Sequence, residues 1–183
     1  MKKVSGNLLL DSKLILEKAK ISEGMKVVDL GCGGHGYFVF PFAHAVGRAG
    51  KVYAVDILKV MLENVRKKAD VENYPNVEIV WSDLEVFNGT NIDTMSLDRA
   101  FLINVLFQSE KRVAIIREAV RMLKKNGKLI IVDWKEKALP FGPDPENRVK
   151  VDTLKEGAHQ LGIELEKEYS AGQYHHGLIF KKI

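Results

Sequence analysis

The chain has 183 residues, with 28 Lys+Arg against 24 Asp+Glu for a formal net charge of +4, 46% hydrophobic residues and 28% charged ones. That composition excludes disordered, collagen-like and fibrous proteins, and the length suits a single domain over 1–183. No apolar run approaches the roughly 20 residues of a membrane span, and no long apolar stretch follows Met1-Lys2-Lys3, so a cytoplasmic protein is expected.

Asp11-Ser12 can cap a first helix carrying Leu14, Ile15, Leu16 and Ala19, within an N-terminal helical segment 1–22. Strand 26–30 follows, then a glycine-rich turn and a helix over 38–46, where Pro41 is tolerable only near the first turn. A second strand over 51–55 ends in Asp56, and Leu58, Met61, Leu62, Val65 and Ala69 recur at helical spacing along the next segment. Asn73-Tyr74-Pro75-Asn76 stops that helix before a third strand, 77–81, that leads into Ser82-Asp83. A buried fourth strand, 100–103, ends at Asn104, and Ser109 is placed to cap a helix with the stripe Val113, Ile116, Val120 and Leu123 that stops at Asn126-Gly127. The fifth strand covers 128–132, a loop with three prolines runs from Lys135 to Arg148, and a helix capped by Asp152-Thr153 ends at Gly162. Two last runs, 163–168 and 177–181, flank a turn at Gly172 too short for a crossover, which predicts an antiparallel hairpin. Strands alternating with helices predict a parallel sheet covered on both faces.

The chemistry concentrates in Val27-Val28-Asp29-Leu30-Gly31-Cys32-Gly33-Gly34-His35-Gly36. A strand, a glycine turn and a helix suit a nucleotide, because the backbone must turn sharply and let a ligand approach with no Cβ in the way. Gly31-x-Gly33-x-x-Gly36 fits the dinucleotide fingerprint, and Asp56 lies where an acid would hold ribose hydroxyls. Asp29 stands against a nicotinamide dinucleotide, since a carboxylate beside a pyrophosphate repels it. A cofactor with a cationic centre and no phosphate removes the conflict, and S-adenosylmethionine fits.

On these residues, together with Lys51-Val52-Tyr53-Ala54-Val55-Asp56-Ile57, Ser82-Asp83, Leu123-Lys124-Lys125-Asn126-Gly127-Lys128-Leu129 and the terminal hairpin, the chain resembles class I S-adenosylmethionine-dependent methyltransferases. The resemblance is nearest to the small-molecule branch of the ubiquinone/menaquinone-biosynthesis type (methyltransferase type 11). It implies an α/β, Rossmann-like doubly wound sheet of seven strands, mostly parallel, with the last strand antiparallel beside the fifth. It also implies that Asp29 approaches the methionine amino group, that Gly31 and Gly33 make room for methionine and ribose, and that Asp56 accepts from the ribose hydroxyls. Ile57 would pack on adenine, Asp83 would accept from the adenine amine with Leu84 beside it, and Asn104 would lie beside the sulfonium. The loop is one residue longer than the family pattern, which leaves open whether Gly34 or Gly36 takes the third glycine's role, and His35 is a candidate neighbour of the methionine end or the acceptor.

By the same resemblance the acceptor site lies over the fourth and fifth strands, bordered by the N-terminal segment, 104–108 and 134–148, with Tyr37, Trp134, Phe141 and Tyr174 as candidate lining. A small-molecule acceptor is expected. The alternatives are a structured RNA, a cofactor-binding protein without catalysis and, third, an NAD-binding protein. Cys32, the single cysteine, reads as packing rather than a nucleophile, because no local His-Asp arrangement accompanies it. His175-His176 reads as structural or surface rather than a metal pair, since neighbours on a strand point to opposite faces. Phe38, Phe40 and Phe42 read as core.

Overall fold

The computed structural model describes residues 6–137 and 141–183. Strands β1 (Lys26–Leu30), β2 (Lys51–Asp56), β3 (Val77–Trp81), β4 (Leu97–Ile103), β5 (Leu123–Trp134), β6 (Ile163–Ser170) and β7 (His175–Lys182) form one seven-stranded sheet in the order β3-β2-β1-β4-β5-β7-β6. The first five strands pair in parallel, and β7 runs antiparallel to both β5 and β6. The expected Rossmann-like sheet and terminal hairpin are both present.

Helices α1 (Ser12–Ala19), α2 (Val39–Val46), α3 (Lys59–Val71), α4 (Arg112–Met122) and α5 (Val151–Ala158) cover the sheet. Alternation along each strand sends side chains to two cores. Val28, Leu30, Leu102 and Ile131 meet Ile115 and Ile116 of α4 and Ala158 of α5 on one face. On the other, Val27, Phe101, Ile103 and Val132 meet Ile15 of α1, Phe42 of α2 and Val65 of α3. Phe38, Phe40 and Phe42 are buried there, as their spacing implied. Because β1 lies between β2 and β4, strand order reverses at β1, and such sheets leave a crevice above the carboxyl ends of the strands at that point.

The structure corrects several local expectations. Strand β4 begins at Leu97 rather than Ala100, because Arg99 is buried by donating to the carbonyls of Ala19 at 2.7 Å and Lys20 at 3.3 Å, where α1 ends. Of the expected α4 stripe, Ile116, Val120 and Leu123 are buried but Val113 is 59% exposed, and Ile115, Ala119 and Met122 complete the buried face. The helix also stops at Met122, short of Asn126-Gly127, because Leu123 already pairs with Leu97 in the sheet. The Lys182 ammonium donates to Val120 and Leu123 carbonyls, both at 2.7 Å, and so satisfies that helix end from β7. Ser109 does not cap α4: its hydroxyl accepts from Lys111 N and donates to Glu85, and the helix starts at Arg112. Asp152 and Thr153 lie inside α5, which starts at Val151 after Lys150.

Candidate cofactor cleft

The glycine turn after β1 is folded back on β2. The N–H groups of Gly31 and Cys32 both donate to Val55 O, at 2.8 and 2.9 Å, and Gly33 N donates to Asp56 Oδ2 at 3.0 Å. Gly31 and Gly33 have φ of +80° and +63°, conformations that L side chains avoid. A Cβ on Gly31 would lie 2.6 Å from Val105 Cγ2, whereas the space beside Gly33 is open. The other Asp56 oxygen accepts from Leu58 N at 2.9 Å, so one carboxylate ties the glycine turn to the start of α3.

Above these strand ends opens a cleft of about 430 Å³, the size of a small-ligand site. Gly31, Gly33, Asp56, Ile57, Asp83, Leu84 and Asn104 all line it. Asp83 accepts from Glu85 N at 2.9 Å, which shapes the turn after β3. Asp29 does not line the cleft: it lies on β1 two residues before Gly31 and is buried, and its Oδ2 has no hydrogen-bond partner. Burial first, and the nearby Asp56 charge second, push its carboxyl up to about 7. Gly36 does not line the cleft; it is a left-handed residue, φ +56°, whose open side faces the Phe40 ring. Gly34 packs on Met61 of α3, and His35 is exposed outside the cleft.

Residues 104–109 form the opposite wall. Asn104 is left-handed (φ +57°), its N–H donates to Val132 O, and its side-chain amide donates to Asn7 Oδ1 at 2.8 Å, leaving Asn104 Oδ1 buried and unpartnered. Phe107 N donates to Asp133 Oδ2 at 3.3 Å, and Trp134 N donates to Asp133 Oδ1 at 2.8 Å. Burial raises the Asp133 carboxyl to about 7 despite those N–H groups and the Arg112 charge. Ser109 Oγ donates to Glu85 Oε1 at 2.7 Å, joining the wall after β4 to the one after β3.

Sequence reasoning missed several of these residues. Asn7 and Ser82 line the cleft, and so do Leu58 and Met61, read from the sequence only as part of one face of a helix. Asp133, Glu118 and Arg121 support it without a local motif to mark them. Glu118 is fully buried, accepts from Asn88 N at 2.7 Å and Thr90 N at 3.0 Å, and pairs with Arg121 at 2.8 Å. Thr90 in turn meets Ser82 through their hydroxyls at 2.9 Å.

The candidate acceptor aromatics divide. Trp134, Phe141 and Tyr174 gather, with ring centroids 6.2 and 4.6 Å apart, while Tyr37 stands apart and donates to Leu10 O; none of the four lines the cleft. His175 and His176 are both buried rather than on the surface, and His175 lies 4.4 Å from the Trp134 ring, with burial lowering it to about 4. Cys32 is buried, and burial with the charges of Asp29 and Asp56 pushes its thiol far up, away from a nucleophilic thiolate. Among the described residues no group of three His, Cys, Asp or Glu side chains is arranged to hold a metal, and no helix is long and apolar enough to cross a membrane.

A glycine turn at the switch point of a doubly wound sheet, with acids ending its first strands, defines a nucleoside-type cofactor fold. A family model described as a methyltransferase domain matches residues 21–172. A ubiquinone/menaquinone biosynthesis C-methyltransferase of Shewanella woodyi is 34% identical over 128 residues, covering 67% of this chain and 47% of that protein. A demethylmenaquinone methyltransferase of Lactococcus lactis is 25% identical over 120 residues, 64% of this chain and 45% of that protein. The chain therefore spans about half the length of these relatives. A crystal structure of a SAM-dependent methyltransferase from Aquifex aeolicus superposes with a TM-score of 0.85 at 25% identity, over 96% of this chain and 91% of that one. The chain belongs to the S-adenosylmethionine-dependent methyltransferase family.

The residues present fit that cofactor. Asp29 Oδ2 is a buried acceptor without a donor, which an amino group would satisfy, and Gly33 leaves the loop open on its ligand side.

Proposed function

We propose that the chain transfers a methyl group from S-adenosylmethionine to a small-molecule acceptor, as a single domain acting in the cytoplasm. The observation that carries this reading is the unpartnered, buried Asp29 carboxylate on β1, two residues before a glycine turn that is open at Gly33. A phosphate-bearing dinucleotide would meet repulsion there, whereas a cationic methionine moiety is attracted. The names of the menaquinone-pathway relatives support a small-molecule acceptor, and the free, buried Cys32 suits a reducing compartment.

In this reading Asp29 accepts from the amino group, and Gly31 and Gly33 admit the methionine and ribose portions. Asp56 accepts from the ribose hydroxyls with its free lone pairs while it keeps Gly33 and Leu58 in place. Ile57, 52% exposed on the rim, covers adenine, and Asp83 with Leu84 recognises its edge. Asn104, aimed by Asn7, stands at the reacting end. Gly36 contributes by turning the chain into α2 rather than by touching the ligand. When bound, the cofactor supplies an electrophilic methyl on a sulfonium, so the chain's own task is to align the acceptor and exclude water. The segment from Asn7 to Leu10, the wall 104–109 and the Trp134–Phe141–Tyr174 cluster border the acceptor side.

The test is calorimetric titration with S-adenosylmethionine, S-adenosylhomocysteine and NADH, with Asp56→Ala in parallel. Binding of both adenosyl ligands, lost in the variant, is the expected result. Binding of NADH alone, or of none of the three, would overturn the reading.

A further inference from the structure

Beside the open edge of the sheet, α3 carries charges with a symmetry of their own. Lys59, Glu63, Arg66 and Asp70 recur at i, i+4, i+7 and i+11, share one helix face, alternate in sign and are all exposed. Among the described residues none of the four is in an ion pair within the chain, although their spacing would allow pairs along the helix. Lys59, Glu63 and Arg66 flank a groove whose other wall is β3, the edge strand, through Ile79 and Trp81, and Asp70 continues the same helix face beyond it. Trp81 is 53% exposed, yet its indole N–H donates to Ile57 O at 2.8 Å and the Lys59 ammonium lies 5.6 Å from its ring. An exposed tryptophan held in place by that hydrogen bond, with Val60 also exposed on α3, gives this face apolar area that a partner can cover.

We propose that this face binds a second copy of the chain in a two-fold dimer. An axis crossing α3 midway between Glu63 and Arg66 sets Lys59 against the partner's Asp70 and Glu63 against the partner's Arg66, and repeats both pairs by symmetry. Every facing pair is then of opposite sign. A self-complementary patch is what an isologous interface requires, whereas a partner of one dominant charge would be repelled at two of the four positions.

Sedimentation velocity at low salt tests this on the wild type, Glu63→Arg, Arg66→Glu, an equimolar mixture of those two variants, and the double variant carrying both. Circular dichroism verifies that each is folded, and exposed positions on a helix tolerate the changes. The wild type is a dimer, and each single reversal sets like charges face to face twice, raising the dissociation constant at least ~10-fold. Both the mixture and the double variant restore opposite signs and return the constant to within about threefold of wild type. A wild type that stays monomeric at the limit of its solubility, a dimer indifferent to either reversal, or reversals without restoration would each overturn the proposal.

Discussion

The most searching perturbation is Asp29→Asn, because it sets stability against binding. With its folded value near 7 and its ordinary value at 3.8, Asp29 holds its proton more tightly when the chain is folded. Below pH 3.8 it therefore has no effect on stability. Between pH 3.8 and 7 an increasing penalty develops, and above 7 the full penalty applies. At about 1.4 kcal/mol per pKa unit the ceiling is about 4 kcal/mol. Asparagine removes the charge but buries an amide without an evident partner, which returns about 2 kcal/mol. The variant should thus be more stable than wild type by about 2 kcal/mol at pH 8, a rise of roughly 4–8 °C in Tm for a chain of this size, with no advantage at pH 4. The same change replaces the carboxylate proposed for the cofactor's amino group with a neutral amide oxygen, which loses the charge-assisted part of that bond, so affinity for S-adenosylhomocysteine falls roughly 10- to 100-fold. In the wild type that affinity climbs toward about tenfold per pH unit between pH 5 and 7 as the carboxyl ionises, then levels off. Differential scanning calorimetry and titration calorimetry across pH 4–8 read both effects. An Asp29→Asn chain less stable than wild type at pH 8, or a wild-type affinity flat across this range, would refute the electrostatic argument.

Two further predictions separate the glycine turn from its support. Gly33→Ala meets open space and pays only left-handed strain of about 1 kcal/mol, yet its methyl projects into the cleft and weakens S-adenosylhomocysteine binding at least ~10-fold by calorimetry. Gly31→Ala meets Val105 at 2.6 Å and costs about 3 kcal/mol, a difference visible in urea denaturation of the two variants. Glu118→Ala leaves Arg121 and the N–H groups of Asn88 and Thr90 without their buried partner, and thermal melts should show a loss of about 3–5 kcal/mol.

The legible parts of the fold were those set by local pattern. β1 and β3 are β-branched runs bounded by turn residues, and their ends fall where the sequence placed them. What local pattern misjudged was decided by distant partners. The charged start of β4 looked like loop because nothing nearby shows that Arg99 will meet the carbonyls closing α1, 79 and 80 residues away in sequence. The end of α4 was misplaced for the same reason, since its terminal carbonyls are met by Lys182, and Asn126 adopts its left-handed turn inside β5 instead.

The candidate site divides along the same line, and the division has a physical basis. Asp29, Asp56 and Asp83 could be read because each ends or nearly ends a strand at a switch point, and sheet geometry alone converges such positions. Gly36 was grouped with the other glycines because a fingerprint records spacing. Spacing alone does not tell a glycine that faces a ligand from one that makes room for Phe40. Asn7, Glu118 and Asp133 carried no signal because each acts on a backbone or side-chain partner at least 26 residues away: Asn104, Asn88 and Thr90, and Phe107. These three residues fix the position of the cleft walls, not the identity of a ligand. The part of the cleft carried by strand ends is legible in the sequence, whereas the part held by these distant tethers takes shape only after the chain has folded.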